Sequence, residues 1–338
     1  MIRGDDEKLG AHAITSRRSW TSTLRPINPD RPRVAALGRD TTARLHRRPK
    51  PKMPPSTQSK HPAALTGATT SPPTRRLAVP LYFAVAITIS WVAMAVAAGD
   101  GGFPLQPDDA AAVGGAALLG PAAASVLLTA VYDGAAGLRE LRARLFRWRV
   151  GARWYALALA LAPVTSLCVL LPLALRSSAY APAIAVTSEP VPLALSGLAA
   201  GLAVGLFEEL GWTGFAAPRL LRARGPLRVG VIVGLVWGLW HFPMFWERDS
   251  FTDALSLAVL GARLFAWLPP FRVLMVWIYE RTQSLLIVIL THWSLVASLM
   301  CLEPTLPREQ LLRFILLRAA VLWALVGGVA LWRRRRAA

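Results

Sequence analysis

Acidic residues are scarce: 19 Asp and Glu stand against 38 Lys and Arg in 338 residues, and charged side chains of both signs make up only 17% of the chain. Soluble domains carry about 25%, and here 54% of residues are hydrophobic and mean hydropathy is +0.43. A soluble enzyme is excluded on that balance. The two cysteines, Cys168 and Cys301, both lie inside apolar runs, so there is no disulfide framework. Histidine is scarcer still. Of five, His12, His46 and His61 fall in a polar N-terminal stretch, leaving His241 and His292 in the apolar remainder.

That stretch, residues 1–76, lacks any helical or strand period and is rich in Pro, Arg, Ser and Thr. It carries sixteen Lys and Arg against five Asp and Glu. Its composition predicts a disordered basic tail with too little apolar surface to offset ordering entropy. No apolar segment follows its charges, so a secretory signal is not expected. Met53 is an alternative start to Met1. A basic total of +19 is also the signature of nucleic-acid binding, but the remaining charge follows membrane topology instead.

From Leu77 onward, apolar runs of about 17–25 residues recur, the length a bilayer core requires of a helix. The expected spans are Leu77–Ala98, Ala110–Val131, Trp154–Leu175, Val191–Phe207, Val229–Trp246, Ala254–Ile278, Ser284–Cys301 and Leu311–Trp332. Arginines concentrate in alternate loops: Arg139 to Arg153, then Arg219 to Arg228, then Arg281 and the terminal Arg333 to Arg336. The intervening loops hold Arg176, Arg248 and Arg308 singly or no cation at all, which places both termini in the cytoplasm. The stretch Leu138–Val150 alternates arginines with Leu141, Leu145, Phe146 and Trp148 and predicts a short interfacial helix. Pro269 and Pro270 interrupt the sixth span, which also contains Arg263 and Arg272. The expected fold is thus an all-α integral membrane protein of about eight transmembrane helices around an intramembrane polar cavity. The tail covers 1–76, the membrane domain 77–332 and a basic cytoplasmic end 333–338.

Ionisable groups inside spans cost about 2.5–3.5 kcal/mol even on the mildest scale, so they are functional candidates. Glu208 and Glu209 end the fourth span, His241 lies in the fifth and His292 in the seventh. Gly197, Gly201 and Gly205 form a small-residue row that Glu209 continues at the next step of four, so the carboxylates border a tight helix–helix seam. No Gly-x-Ser-x-Gly or His-Glu-x-x-His element is present. A carboxylate with two imidazoles can activate water in two ways. Glu208 can serve as general base, with His241 orienting it and His292 stabilising the oxyanion. Alternatively, Glu208, His241 and His292 could hold Zn2+ with a fourth position for water. Proton relay in a transporter uses the same residue types, although the chain shows no internal repeat of the kind transporters favour. The four candidates are expected to converge in a cavity open to the cytoplasmic half. At 1.5 Å per residue their levels differ by roughly 15–20 Å, so convergence needs either shifted boundaries or a fourth helix that runs deeper.

Three ordered segments resemble the motifs of the CPBP intramembrane proteases, the family of type II CAAX prenyl endopeptidases and bacteriocin-processing or self-immunity membrane proteins. Phe207-Glu208-Glu209-Leu210-Gly211-Trp212-Thr213-Gly214-Phe215 with Pro218-Arg219-Leu220 resembles the first. Trp237-Gly238-Leu239-Trp240-His241-Phe242-Pro243 is similar to the second, and Trp277 to Thr282 with Ser284-Leu285-Leu286 and His292 to the third. Gly120-Pro121-Ala122, Gly137 to Leu141 and Trp148 to Gly151 are similar upstream. The resemblance covers about 77–332. It implies an eight-helix fold with a conical cavity and a peptidase in which Glu208 is the base, Glu209 its partner, and His241 and His292 complete the site. Two positions depart from it: Thr213 stands where the family usually has arginine, and Val296 where it usually has an asparagine that donates to the oxyanion. Thr291, Ser294 and Arg272 are the substitutes for that donor. The implied partners are the lipid bilayer and a membrane-associated peptide or protein substrate, with no nucleic acid. A membrane immunity or interaction protein without hydrolysis is the alternative use of the scaffold.

Overall fold

The computed structural model describes residues 77–104 and 109–337, so the expectations for the tail 1–76 lie outside the described residues. Ten helices carry the fold: α1 Ala78–Ala98, α2 Ala110–Ala117, α3 Leu119–Leu145, α4 Ala152–Ala174, α5 Pro190–Gly211, α6 Pro226–Trp240, α7 Ala254–Phe265, α8 Leu268–Thr282, α9 Leu285–Leu302 and α10 Arg308–Ala337. No strand occurs among the described residues. Seven helical segments are long and apolar enough to cross a membrane, and α6 is a shorter apolar helix beside them. The fold is therefore all-α and multi-pass, with about eight spans. Exposed side chains such as Leu127, Val131, Leu195 and Leu202 line its outer faces, as a lipid-facing surface requires.

Four boundaries differ from those expected, each for a local reason. The fourth span does not stop at Phe207. It continues through a π-helical turn, Trp212–Ala216, to Leu221, giving a continuous 32-residue segment. The glutamates therefore sit inside the helix, about 20 Å short of its end at 1.5 Å per residue. The fifth span stops at Trp240 rather than Trp246. Pro243 lacks a backbone N–H and its ring would collide with the carbonyl four residues back, so the helix must end before it. At 15 residues, α6 rises about 22 Å, less than the roughly 30 Å of a bilayer core. The sixth span breaks at Ala266–Trp267, before the Pro pair. Pro269 and Pro270 lie in the first turn of α8, where a missing N–H costs nothing.

The fourth difference concerns the interfacial segment. α3 runs on to Leu145, interrupted where Gly134 takes a positive φ of 58° that a side chain would resist. Beyond this break the segment docks on protein rather than lying free on a leaflet. Leu141 is buried with Leu285 and Ile289, and Arg144 donates to the Tyr279 hydroxyl at 2.9 Å and the Gly214 carbonyl at 3.1 Å.

Two glycine rows organise the interior. On α5, a Cβ at Gly201 would lie 2.7 Å from the Trp293 carbonyl oxygen and one at Gly205 2.8 Å from that of Ile289, both on α9. On α6, Gly230, Gly234 and Gly238 repeat the spacing of four. A Cβ at Gly234 would lie 2.6 Å from Cα of Pro269 on α8. Backbones approach this closely only where side chains are absent. The core thus contains two tightly apposed pairs, α5 with α9 and α6 with α8.

Candidate active site

The predicted row from Gly197 to Glu209 holds: α5 brings its carboxylates onto the α9 seam, and His292 meets them there. His292 Nδ1 lies 2.8 Å from Glu209 Oε1. Arg272, from α8, donates through Nη1 to both oxygens of Glu209, at 2.7 and 2.8 Å. Thr213, one turn beyond in the π-helical segment, donates its hydroxyl to Oε2. Glu209 therefore accepts bonds at both oxygens from three residues, and its charge is balanced by a guanidinium. A carboxylate so engaged orients its neighbours and has no lone pair to spare for a water proton.

Glu208 is arranged differently. Its Oε2 accepts from two indoles, Trp212 Nε1 at 3.0 Å and Trp237 Nε1 at 2.7 Å. Its Oε1 accepts no hydrogen bond among the described residues. One oxygen is fixed and the other is available.

Trp237 is the hub. Its ring meets His241 edge-on at 5.3 Å and His292 edge-on at 5.4 Å, and the Arg272 guanidinium lies 4.1 Å above it. The i, i+4 relation to His241 has a second use, because His241 Nδ1 is 2.7 Å from the Trp237 carbonyl oxygen. An acceptor at Nδ1 requires a proton there, so the neutral ring presents Nε2 as a bare lone pair. The same holds for His292, whose Nδ1 faces a carboxylate. Glu208, Glu209 and His292 are all at most 2% exposed, while His241, at the C-terminal end of α6, is only half-buried. Glu208, His241 and His292 thus gather around one indole, with Glu209 joined to them through His292 and Arg272, and the most accessible of the four lies at the end of α6 away from the arginine-rich segment 219–228.

The zinc arrangement finds no support in these positions. A site of Glu208, His241 and His292 would place three donors about 2.0–2.2 Å from one point. No three His, Cys, Asp or Glu side chains are grouped to hold a metal among the described residues. Arg272 moreover pairs with the neighbouring Glu209, so a positive charge already sits beside this position.

Sequence reasoning noted Arg272 as a charge in a broken span but did not pair it with Glu209, 63 positions away. The burial of both was the available signal: a carboxylate and a cation in one apolar domain seek each other, since either alone costs several kcal/mol. The donors suggested for Val296 divide clearly. Thr291 gives its hydroxyl to the Ile287 carbonyl at 2.8 Å and Ser294 gives its own to Leu159 at 2.7 Å, so both are spent. Arg272 keeps Nε and Nη2 buried and without a hydrogen-bond partner among the described residues. Unsatisfied buried donors cost about 1–3 kcal/mol each, more when charged, so such groups call for a reason. Behind the site, Pro121 closes against Gly211, where a Cβ would lie 2.6 Å from the Pro121 carbonyl oxygen. The Ser125 hydroxyl donates to the Leu210 carbonyl at 2.6 Å, on the π-helical side. Single π-turns are frequent at functional sites, and nothing in the residue types announced this one.

Residues 190–298, which include all four candidates, match the family described as type II CAAX prenyl endopeptidase Rce1-like. CAAX prenyl protease 2 of Methanococcus maripaludis is 27% identical over 90 residues, a stretch covering 26% of this chain. The match spans 33% of the relative's own length. The family match covers about a third of the chain.

Proposed function

We propose that this chain, as a CPBP family member, is an intramembrane endopeptidase that cuts membrane-anchored CAAX-like or small exported peptides with water activated by Glu208. The free Oε1 of Glu208 carries this reading, because its partner oxygen is pinned by two indoles while Glu209 is fully engaged. Oε1 takes one proton from water as the water oxygen bonds to the scissile carbonyl carbon and the carbonyl π pair moves onto its oxygen. His241, through Nε2, accepts a hydrogen bond from the other water hydrogen and fixes its direction. The intermediate collapses as the C–N bond breaks and Glu208 returns its proton to the departing nitrogen. Glu209 acts through others, holding His292 and Arg272 in place.

A farnesylated peptide ending in Cys-aliphatic-aliphatic-X is the probe that the relative's name recommends. With the purified chain in nanodiscs, Glu208→Gln should lower kcat by about 10²–10⁴, the usual worth of a general base, without shifting the melting temperature. Turnover of this variant at the wild-type rate would end the assignment. Absence of turnover by the wild type across prenylated and unprenylated peptides would favour an immunity or interaction role. The cell membrane with both termini cytoplasmic is the location that the arginine distribution supports. Cysteines placed beside Arg144 and Arg222 should label only from the cytoplasm, and external labelling of either would reverse it.

A further inference from the structure

Hydrolysis of a peptide bond needs a donor for the carbonyl oxygen as charge develops there, and on the peptidase reading this site has an unassigned place for one. In their neutral forms the histidines do not fill it. His241 Nδ1 is committed to the Trp237 carbonyl and His292 Nδ1 to Glu209, so each neutral ring offers the substrate an acceptor. The hydroxyls of Thr291 and Ser294 are given to backbone carbonyls, and Thr213 gives its own to Glu209. The Glu208 indole partners have spent their only N–H groups. Val296 has no donor.

Orphaned donors remain in the same place. Arg272 is wholly buried, with one nitrogen on Glu209 and with Nε and Nη2 unpartnered among the described residues. Its guanidinium carbon lies 4.1 Å over the centroid of Trp237, the ring that touches both histidines and donates to Glu208. The Trp240 indole N–H, beside His241, is also buried without a partner. Tyr82 Oη is a third orphan, but it packs at the contact of Gly211 with α1, behind the carboxylates. Of these only Arg272 is charged, and a charged donor makes the shorter and stronger bond to an oxyanion.

We propose that Arg272 is the oxyanion donor of this enzyme, presenting its free guanidinium edge to the scissile carbonyl oxygen while Glu209 grips the other edge. One ion pair then serves two purposes: Glu209 aims the guanidinium, and the guanidinium polarises the substrate. The inference rests on the peptidase reading of the site. Lysine at this position would keep the charge and lose the fork that allows both contacts at once.

The test uses the full chain in nanodiscs with the quenched, farnesylated Cys-aliphatic-aliphatic-X peptide and its phosphinate analogue, which mimics the tetrahedral intermediate. Arg272→Lys and Arg272→Ala should each lower kcat by about 10²–10³, the loss measured for a single oxyanion donor elsewhere, with KM within about threefold. Affinity for the phosphinate should fall in parallel while affinity for an uncleaved amide analogue holds, and added guanidinium ion should restore part of the Arg272→Ala rate. Arg272→Lys retaining more than about a third of wild-type kcat would overturn the proposal. So would equal losses for phosphinate and amide, which mark a merely structural role. Wild type that neither cleaves the peptide nor binds the phosphinate would remove the peptidase reading and this inference together. Loss of activity in Glu208→Gln with retention in both Arg272 variants would remove this inference alone.

Discussion

Gly205 is one helical turn before Glu209, and adding a single methyl group there tests whether the α5–α9 seam sets the site geometry. In Gly205→Ala the new Cβ would lie 2.8 Å from the Ile289 carbonyl oxygen and 3.1 Å from the Trp293 nitrogen. Ordinary contact begins near 3.4 Å, so the two helices must part by about 0.6 Å. Both near atoms are backbone and cannot rotate aside. The Glu209–His292 bond, now 2.8 Å, lies immediately below and would be drawn beyond the usual hydrogen-bond range. Overpacking of this kind costs about 1–3 kcal/mol. For a domain of this size each kcal/mol lowers Tm by about 2–4 °C, so a fall of roughly 2–12 °C is expected. Because the strain falls beside the carboxylates, peptide turnover should drop about tenfold or more, by analogy with the sensitivity of catalysis to small misplacements. Gly201→Ala meets a carbonyl at 2.7 Å and should match it in stability, whereas Gly197→Ala meets the Cys301 Sγ at 3.2 Å and the Met300 Cβ at 3.4 Å, with the Ala297 carbonyl oxygen at an ordinary 3.5 Å. Side chains can yield there, and little change is expected. Melting curves from tryptophan fluorescence in nanodiscs, beside turnover of the farnesylated peptide, give the ranking. Equal effects at all three glycines, or the largest at Gly197, would refute the seam as the determinant.

Trp237→Phe keeps the ring on which Arg272 and both histidines rest but removes the N–H given to Glu208 at 2.7 Å. A bond to a charged group is worth about 1.5–3 kcal/mol, so kcat/KM should fall roughly 10- to 150-fold, and an unchanged value would show that Trp212 alone fixes Glu208. Metal chelation should leave turnover of the same peptide unchanged, given that no three His, Cys, Asp or Glu side chains are grouped to hold a metal among the described residues, and inactivation reversed by added zinc would contradict that expectation. At the start of α7, backbone and hydroxyl hydrogen bonds from Ser256, with one from the Leu255 N–H, hold the Asp253 carboxyl below its ordinary value of 3.8. A folded-state value below the unfolded one adds stability above pH of about 3.8 that is lost as pH falls through the folded value. Asp253→Ala should therefore melt lower than wild type at pH 7 and approach it at acid pH, and a deficit independent of pH would assign the effect to something other than the carboxylate.

The helices were legible because apolar length and arginine-rich loops are properties of contiguous residues. So were the candidate residues that the fold brings near one another, since Glu208, Glu209, His241 and His292 are conspicuous in a domain so poor in ionisable groups. The Gly197 row is legible as a seam, and the same spacing at Gly230 and Gly234 marks the second one, against Val273 and Pro269 of α8. What escaped depends on remote contacts. The level of Glu208 in the membrane was misjudged because the hydropathy of α5 fades at the glutamates, whereas the backbone continues through a π-turn whose environment is supplied by α3. The pairing of Arg272 with Glu209 joins two helices that no local pattern connects. The half-exposed position of His241 followed from Pro243, a signal present in the sequence whose effect on the helix end was not drawn.

Glu208, Glu209 and His292 belong to the α5–α9 pair, while Trp237, His241 and Arg272 belong to the α6–α8 pair. The hydrogen bonds that cross between the pairs at this level, Trp237 to Glu208 and Arg272 to Glu209, are among those that fix the carboxylates. Cohesion of the bundle and electroneutrality of its centre therefore reside in the same few atoms. Substitutions there trade along a single axis: a chain that loosens this joint to admit a bulkier guest also frees the charges the joint neutralises.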